Sequence, residues 1–321
     1  MKYRQLGRSA LRVSELCLGT MNFGARTSEP ESFEILNAAV VAGINFVDTA
    51  DQYGGHLGVG ATEALLGRWF AEDRSRRNRL VLATKVHEPM SDDVNDRSLS
   101  ARHIQRACDA SLQRLGVDHI DLYQMHHIDR TAPIEEIWQA MDRLIAQGKI
   151  TYVGSSNFPG WTIARANERA LTGQRLGLVS EQSLYNLIER RAELEVIPAC
   201  RAYGVGVITW SPLAGGLLAG GGAEPGGRRQ SDDAVRAAAA RAGQLANFAA
   251  LCDDLGQSPC AVALAWLLRQ PGITATIIGP RSRGQLASVL HVPDLRLDDE
   301  ALERIEVIFP GCGPAPEAYA W

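Results

Sequence analysis

Four side chains that could carry out acid–base chemistry lie at, or just after, apolar runs of strand length. Asp48 ends the run INFVD and Tyr53 follows it by five residues, Lys85 ends LVLATK, and His126 follows DLYQM. A carboxylate, a phenol, an ammonium and an imidazole together make a complete set for proton transfer. Taken singly, each has a structural explanation, because an Asp at a strand end is usually a cap and a Lys there usually reaches water.

The charges of these residues suggest how they would act as a group. A lysine ammonium among buried strands is costly unless an opposite charge meets it, and Asp48 on the neighbouring strand could supply that charge. Lys85 would then stabilise the phenolate of Tyr53 and lower the phenol pKa from ~10. Tyr53 would be the general acid, with His126 hydrogen-bonded to the oxygen that receives the proton. His127 is expected to point the other way along an extended strand and to be structural or at the rim.

These residues require a fold that gathers the ends of several strands. Short runs rich in Val, Ile and Leu predict eight strands that are buried on both faces. The predicted strands are Val13–Gly19, Ile44–Asp48, Leu80–Lys85, Ile120–Met125, Tyr152–Ser155, Leu178–Gln182, Gly206–Trp210 and Thr274–Ile278.

The segments between these runs carry helix signals. Ser100 is a predicted N-cap of a helix that Gly116 ends, and Pro133 opens the next helix, after which Gly148 follows. Weaker signals predict helices at about 29–42, 58–72, 160–171 and 192–203.

Eight strands that each precede helical sequence predict an α/β fold, a (β/α)₈ TIM barrel formed by residues 1–321 as one domain. Residues 2–12 are expected to form a hairpin that closes the bottom of the barrel. A long loop after strand 7, residues 215–241, is predicted to act as a lid because barrel active sites lie at the carboxyl ends of strands. A doubly wound open sheet is the alternative fold, and the absence of GxGxxG after the first strand disfavours it.

Composition restricts the partners and the location. The net charge is −4 with dispersed Lys and Arg, so no nucleic-acid surface is predicted. The amino terminus has no apolar signal segment and no apolar run approaches membrane-spanning length, so a cytoplasmic protein with no membrane partner is expected. No metal is predicted, because the six cysteines are scattered and the pair His126-His127 lacks any accompanying metal-ligand spacing.

Seven stretches resemble the signatures of the aldo-keto reductases. They are DTADQYG, TKV, DLYQMHHID, GSSNF, SEQSLYN, WSPLAGG and IIGPRS, and they occur in the family order from about Leu18 to Leu290. The resemblance implies a (β/α)₈ barrel and NADPH-dependent reduction of an aldehyde or ketone, with keto-sugars among the candidate substrates. It also matches Asp48, Tyr53, Lys85 and His126 to the family's catalytic tetrad, with Tyr53 as proton donor.

The same resemblance implies a binding site for NADPH or NADP. Ser156, Asn157 and Gln182 match residues that hold the nicotinamide amide, and Trp210 stands where the family commonly has a Tyr under the nicotinamide ring. The remaining matches are Gly19, Thr20 and Met21 after the first strand, Ser211, Pro212, Leu213 and Gly215 along the pyrophosphate, and Gly279, Arg281, Ser282 and Gln285 after the last strand.

Preference for NADPH is inferred from Arg281, Ser282 and Gln285, because a guanidinium suits a 2′-phosphate and the serine hydroxyl adds a donor. Val289 departs from the family, which often has an Asn there near the adenine.

Two other functions are compatible with the sequence. The chain looks more like the bacterial and potassium-channel β-subunit branches than the steroid-reducing branch, so an NADPH-binding regulatory module with little turnover is one alternative. A metal-dependent sugar isomerase on a barrel is the other. Phe23, the loop 87–98, the loop 215–241 and the carboxyl-terminal tail are expected to shape the substrate pocket. Oligomeric state and the tail's role are left open.

Overall fold

The computed structural model describes residues 1–220 and 231–320. It begins with an antiparallel hairpin of β1 (Tyr3–Gln5) and β2 (Arg12–Ser14), and eight parallel strands then close into a barrel. In chain order the barrel strands are β3 (Leu16–Gly19), β4 (Phe46–Asp48), β5 (Val81–Val86), β6 (Ile120–Met125), β7 (Ile150–Ser156), β8 (Leu178–Leu184), β9 (Gly206–Trp210) and β10 (Ile273–Ile278). Each strand pairs with the next and β10 pairs with β3, so the predicted TIM barrel is confirmed.

Helices connect the strands and cover the outside of the barrel. They are α1 (Glu29–Val41), α2 (Ala61–Glu72), α3 (Ala101–Leu115), α4 (Ile134–Ala146), α5 (Gly160–Thr172), α6 (Val196–Ala202), α7 (Asp232–Ala240), α8 (Ala242–Asp254), α9 (Pro259–Arg269), α10 (Arg283–Ala287), α11 (Asp299–Ile308) and α12 (Glu317–Ala320). Among the described residues, no helix is long and apolar enough to cross a membrane.

The predicted helix signals act as expected in α3. The Ser100 side chain accepts a hydrogen bond from the His103 amide, and Gly116 ends the helix in the left-handed conformation at φ 63°. The helix predicted at 58–72 begins later, at Ala61, because Gly58 and Gly60 have positive φ angles of 92° and 83°.

The hairpin closes the bottom of the barrel, as predicted. Leu6 and Val13 are fully buried and pack against interior strand residues that include Cys17 and Phe46. The prediction of one strand over Val13–Gly19 was wrong, because the chain leaves the hairpin at Glu15 and begins a separate barrel strand at Leu16.

Alternation along the strands places a polar layer above this apolar floor. The interior apolar cluster includes Phe46, Ala83 and Leu122 on three adjacent strands. Two residues further along the same strands lie Asp48, Lys85 and Gln124, all of them buried. Because side chains two residues apart share one face of a strand, all three point into the barrel near its carboxyl end.

The predicted lid segment after β9 is only partly described. A 3₁₀ turn covers Ala214–Ala219 and α7 covers Asp232–Ala240, so part of the predicted loop is helical. Residues 221–230 lie outside the described residues. The function of this segment as a lid stays a prediction.

The surroundings of Gly7, which lies in the hairpin turn, show how closely the hairpin packs against the barrel. Its φ is +54°, and an added Cβ would lie 2.2 Å from the Val179 carbonyl oxygen. Gly148 has a similar φ of +70° with no heavy atom within 4 Å of such a Cβ. We expect Gly148→Ala to lower the free energy of unfolding by about 1 kcal/mol, and Gly7→Ala by at least ~2 kcal/mol more. Denaturant unfolding measures both, and equal losses would contradict the close contact.

Candidate active site

A buried ion pair lies at the centre of the barrel mouth. Lys85 Nζ lies 2.5 Å from Asp48 Oδ2 and also donates to the Thr49 carbonyl oxygen at 2.8 Å. The Lys85 side chain is fully buried and that of Asp48 is nearly so. Burial lowers the pKa of Lys85, but the Asp48 carboxylate and the Tyr53 hydroxyl outweigh it and raise the pKa above its usual value. Lys85 is therefore a cation at neutral pH.

Asp48 is held by more than the lysine. Its second oxygen, Oδ1, accepts hydrogen bonds from Gln124 Nε2 at 3.0 Å and from Gln182 Nε2 at 2.8 Å. Sequence reasoning missed Gln124, although its even spacing after Leu122 in DLYQM could have identified it as inward-facing. These bonds stabilise the carboxylate as an anion and fix its orientation.

Tyr53 lies within reach of this ion pair. Its Oη is 3.3 Å from Lys85 Nζ, and the ammonium lies 5.0 Å from the centre of the phenol ring. The His126 ring meets the Tyr53 ring edge to face at 5.9 Å between centroids. All four predicted acid–base residues therefore come together at one mouth, as the sequence predicted.

His126 is a neutral imidazole. Burial and then the Lys85 charge lower its pKa to about 2. Gln52 Nε2 lies 3.5 Å from His126 Nδ1. Because an amide nitrogen can only donate, this contact matches the tautomer with its proton on Nε2. Sequence reasoning did not identify Gln52.

His127 lies beside His126 and not on the opposite face. The two rings stack with centroids 4.9 Å apart and planes at 7°. The predicted opposite orientation was wrong, because β6 ends at Met125 and the extended alternation ends with it. The predicted rim location agrees with a His127 side chain that is about two-fifths exposed.

The residues predicted to bind the cofactor occupy one arc of the mouth. They lie at or just after the carboxyl ends of β7, β8, β9, β10 and β3, which are consecutive in the closed barrel. The four predicted acid–base residues lie at or just after the carboxyl ends of β4, β5 and β6. On this arc Thr20 is buried and its hydroxyl donates to the Asp48 carbonyl oxygen, while Met21 is 41% exposed. Gly19 pairs with Asp48 in the sheet, and the Gly279 carbonyl accepts from Asn22.

Asn157 connects the two parts of the mouth. Its Oδ1 accepts a hydrogen bond from Trp210 Nε1 at 3.0 Å, and its Nδ2 donates to the His126 carbonyl oxygen at 3.1 Å. Ser156 Oγ donates to the Gln182 carbonyl oxygen. Asn157, one of the residues predicted to hold a nicotinamide amide, therefore also orients the Trp210 indole and binds the backbone of His126.

The turn after β9 has the backbone shape of an anion site. Ser211, Ala214, Gly215 and Gly216 all have positive φ angles, and Pro212 and Leu213 lie between them. Turns that mix right- and left-handed residues aim backbone N–H groups at one point and bind phosphate-like anions.

The segment after β10 combines a helix cap with a cation. Ser282 Oγ accepts from the Gln285 amide, and Gln285 Oε1 accepts from the Arg281 amide at 2.8 Å. This reciprocal cap fixes the start of α10. Arg281 is half-buried there, with its guanidinium in a segment that the cap orders.

The structure places Phe23, Val289 and the carboxyl-terminal tail, which the sequence analysis had singled out. Phe23 was expected to shape the pocket, but it is fully buried in the core beneath α2 and does not line the mouth. Val289 is also a core residue, 5% exposed. In the tail, Tyr319 donates to Glu195 at the start of α6. Within the described part of the chain, no cluster of His, Cys, Asp or Glu could hold a metal ion.

Glu181 is an inaccessible acid beside the site. It accepts hydrogen bonds from the Ser155 and Ser183 hydroxyls and from the Phe158 amide, so it points away from the barrel interior towards the start of α5. Burial raises its pKa to about 7, against the opposing effect of these donors. Its function is to tie β7 and β8 to the loop that carries Asn157.

With this fold and site described, comparison with known proteins assigns the class. The model of the aldo/keto reductase family matches residues 15–309. The chain belongs to the aldo/keto reductase family and is an oxidoreductase.

Individual relatives agree with this class. The chain is 48% identical to the oxidoreductase YrpG of Bacillus subtilis (strain 168), over 100% of both chains. It is 32% identical to versiconal hemiacetal acetate reductase of Aspergillus parasiticus, over 95% of this chain and 96% of that one. It is also 32% identical to a probable voltage-gated potassium channel subunit beta of Oryza sativa subsp. japonica, over 99% and 100%.

The raised pKa of Glu181 predicts a pH-dependent stability that Glu181→Gln removes. The folded protein keeps the proton up to about pH 7, whereas the unfolded chain releases it near ~4.3, so wild-type stability falls as pH rises between those values. We expect the free energy of unfolding of the wild type, minus that of Glu181→Gln, to fall by up to about 3 kcal/mol as the pH rises through this window. Urea unfolding of both proteins from pH 4.5 to 8 measures it. A constant difference would show that Glu181 does not titrate there.

Proposed function

We propose that the protein reduces the carbonyl group of a small aldehyde or ketone to an alcohol with NADPH, and that Tyr53 is the proton donor. The observation that carries this proposal is the 3.3 Å distance between Tyr53 Oη and the Lys85 ammonium, which is itself paired with buried Asp48. A phenol beside a fixed cation is a proton donor whose conjugate base is stabilised in place.

The residues of the mouth divide the chemistry among them. NADPH, when bound, would supply the hydride that the carbonyl carbon accepts. Tyr53 gives its Oη proton to the carbonyl oxygen, and Lys85 stabilises the phenolate that remains. Neutral His126 donates from Nε2 to the same oxygen and fixes its position. Tyr53 then recovers a proton from water before the next cycle.

The donors on the opposite arc fit a dinucleotide with negatively charged phosphates. The positive-φ turn at 211–216 suits a pyrophosphate, and Arg281 suits a 2′-phosphate. Trp210 offers a flat indole face whose orientation the bond to Asn157 fixes. The residues that would hold the cofactor are Gly19, Thr20, Met21, Ser156, Asn157, Gln182, Trp210, Ser211, Pro212, Leu213, Gly215, Gly279, Arg281, Ser282 and Gln285.

An NADPH-binding regulatory module with little turnover is the second candidate function. It is suggested by a relative that is named as a probable potassium channel subunit and is as similar in sequence to this chain as the reductase of Aspergillus parasiticus, at 32% identity. Steady-state turnover of simple aldehydes separates the two functions. Tight NADPH binding with negligible turnover would favour the module.

Tyr53→Phe tests the proton donor directly. The variant lacks the Oη proton, so we expect kcat to fall by about 10²- to 10⁴-fold while the Kd for NADPH stays within a few-fold. NADPH oxidation with a panel of aldehydes, ketones and keto-sugars measures the first quantity, and fluorescence titration the second. Tyr203→Phe is the control, because that hydroxyl bonds Glu168 on the outer surface. Unchanged turnover in Tyr53→Phe would overturn the assignment.

Arg281→Ala tests the cofactor preference. Loss of charge-assisted hydrogen bonds to a 2′-phosphate should raise the Kd for NADPH by about 10- to 100-fold and leave the Kd for NADH nearly unchanged. Arg283→Ala, two residues further along and exposed, is the matched control. Calorimetric titration with both dinucleotides measures the effect. An equal loss for NADH and NADPH would assign Arg281 a structural function instead.

A further inference from the structure

The group formed by His87, Glu88 and His127 lies at the rim beside His126. Glu88 Oε1 lies 3.2 Å from His127 Nε2 and 3.4 Å from His87 Nδ1. The His87 and His127 rings meet edge to face at 5.4 Å, and His127 stacks on His126. His87 and His127 follow the carboxyl ends of the adjacent strands β5 and β6, so the group borders the acid–base residues.

The hydrogen bonds of His127 define its protonation. Asn157 Nδ2 lies 3.4 Å from His127 Nδ1, and an amide nitrogen can only donate. This contact matches the tautomer with the proton on Nε2, the nitrogen that lies 3.2 Å from Glu88 Oε1. Burial lowers the pKa of His127, although Glu88 opposes this change, so the ring is neutral at pH 7.

Within residues 1–220 and 231–320, no Lys or Arg lies at ion-pair distance from Glu88. Its charged-group contacts in this part of the chain are those with His87 and His127. Arg97 of the same loop donates to the Ser91 carbonyl oxygen, and the Lys85 charge is paired with Asp48. Three-quarters of the Glu88 side chain is covered, so water screens its charge less than that of a surface carboxylate.

We propose that Glu88, which lies beside His127 and His87, makes the mouth select uncharged carbonyl substrates and disfavour those that carry a carboxylate or phosphate. The proposal rests on the reductase function proposed above and adds the substrate class. A fixed negative charge at the rim of the mouth repels an anionic substrate, while neutral compounds are unaffected by it. The carboxylate also gives a hydroxyl-bearing substrate a hydrogen-bond acceptor.

A matched pair of aldehydes measures this selectivity. Methyl 4-formylbenzoate and 4-formylbenzoate share one ring and one aldehyde and differ in the charge of the distal group. We expect the wild-type kcat/KM for the ester to exceed that for the carboxylate by about 10-fold or more at low salt. In Glu88→Gln this ratio should fall by about 5-fold or more. Raising NaCl to 0.5 M should reduce the wild-type ratio, because salt screens charge repulsion.

Asp92→Asn is the matched control. Asp92 lies in the same loop and is exposed, so its substitution makes the same change in net charge without touching the histidines. We expect its ester-to-carboxylate ratio to stay within 2-fold of wild type. Equal ratios in wild type and Glu88→Gln, or equal effects of Glu88→Gln and Asp92→Asn, would overturn the proposal. Absence of wild-type turnover with the ester would instead count against the reductase function.

Discussion

The Lys85–Asp48 ion pair is the interaction on which the rest of the mouth depends. A lysine that is fully buried among strand residues would be unstable as a cation without a fixed counter-charge. Asp48 supplies that charge, and Gln124 and Gln182 complete its hydrogen bonds, so neither partner is left partly satisfied. Because the pair is held by strands on both sides, the position of the ammonium is set before any substrate arrives. Tyr53 and His126 are arranged around that fixed charge.

The closed barrel separates two tasks on one surface. Strands β4 to β6 carry Asp48, Tyr53, Lys85 and His126, and the arc from β7 through β10 to β3 carries amides, hydroxyls, the Arg281 guanidinium and a positive-φ turn suited to a dinucleotide. Asn157 joins the two sides through its bonds to Trp210 and to the His126 carbonyl. One carboxamide therefore connects the Trp210 indole to the backbone of His126. His127 extends this network outward to Glu88, where the mouth meets solvent.

Much of the fold and the acid–base set could be predicted, for identifiable reasons. Buried parallel strands appear as short aliphatic runs, and a polar residue that ends such a run lies at the functional face of a barrel. The errors occurred where regular geometry ends. His127 was assigned to the wrong face because β6 stops one residue before His126, and Val13 was joined to β3 because the turn at Glu15 has no glycine or proline to mark it. Phe23 follows a strand end closely, yet it turns inward to the core.

The sequence by itself determined the barrel, its floor hairpin and the identity of the four residues at its mouth. These follow from hydrophobic periodicity and residue order, which are local properties of the chain. Only the tertiary structure decided which polar groups meet. The bonds of Gln124 and Gln182 to Asp48 span 76 and 134 residues, and the Gln52–His126 contact spans 74. No local pattern encodes such pairings, because barrel closure and side-chain rotamers select the partners after the strands have assembled.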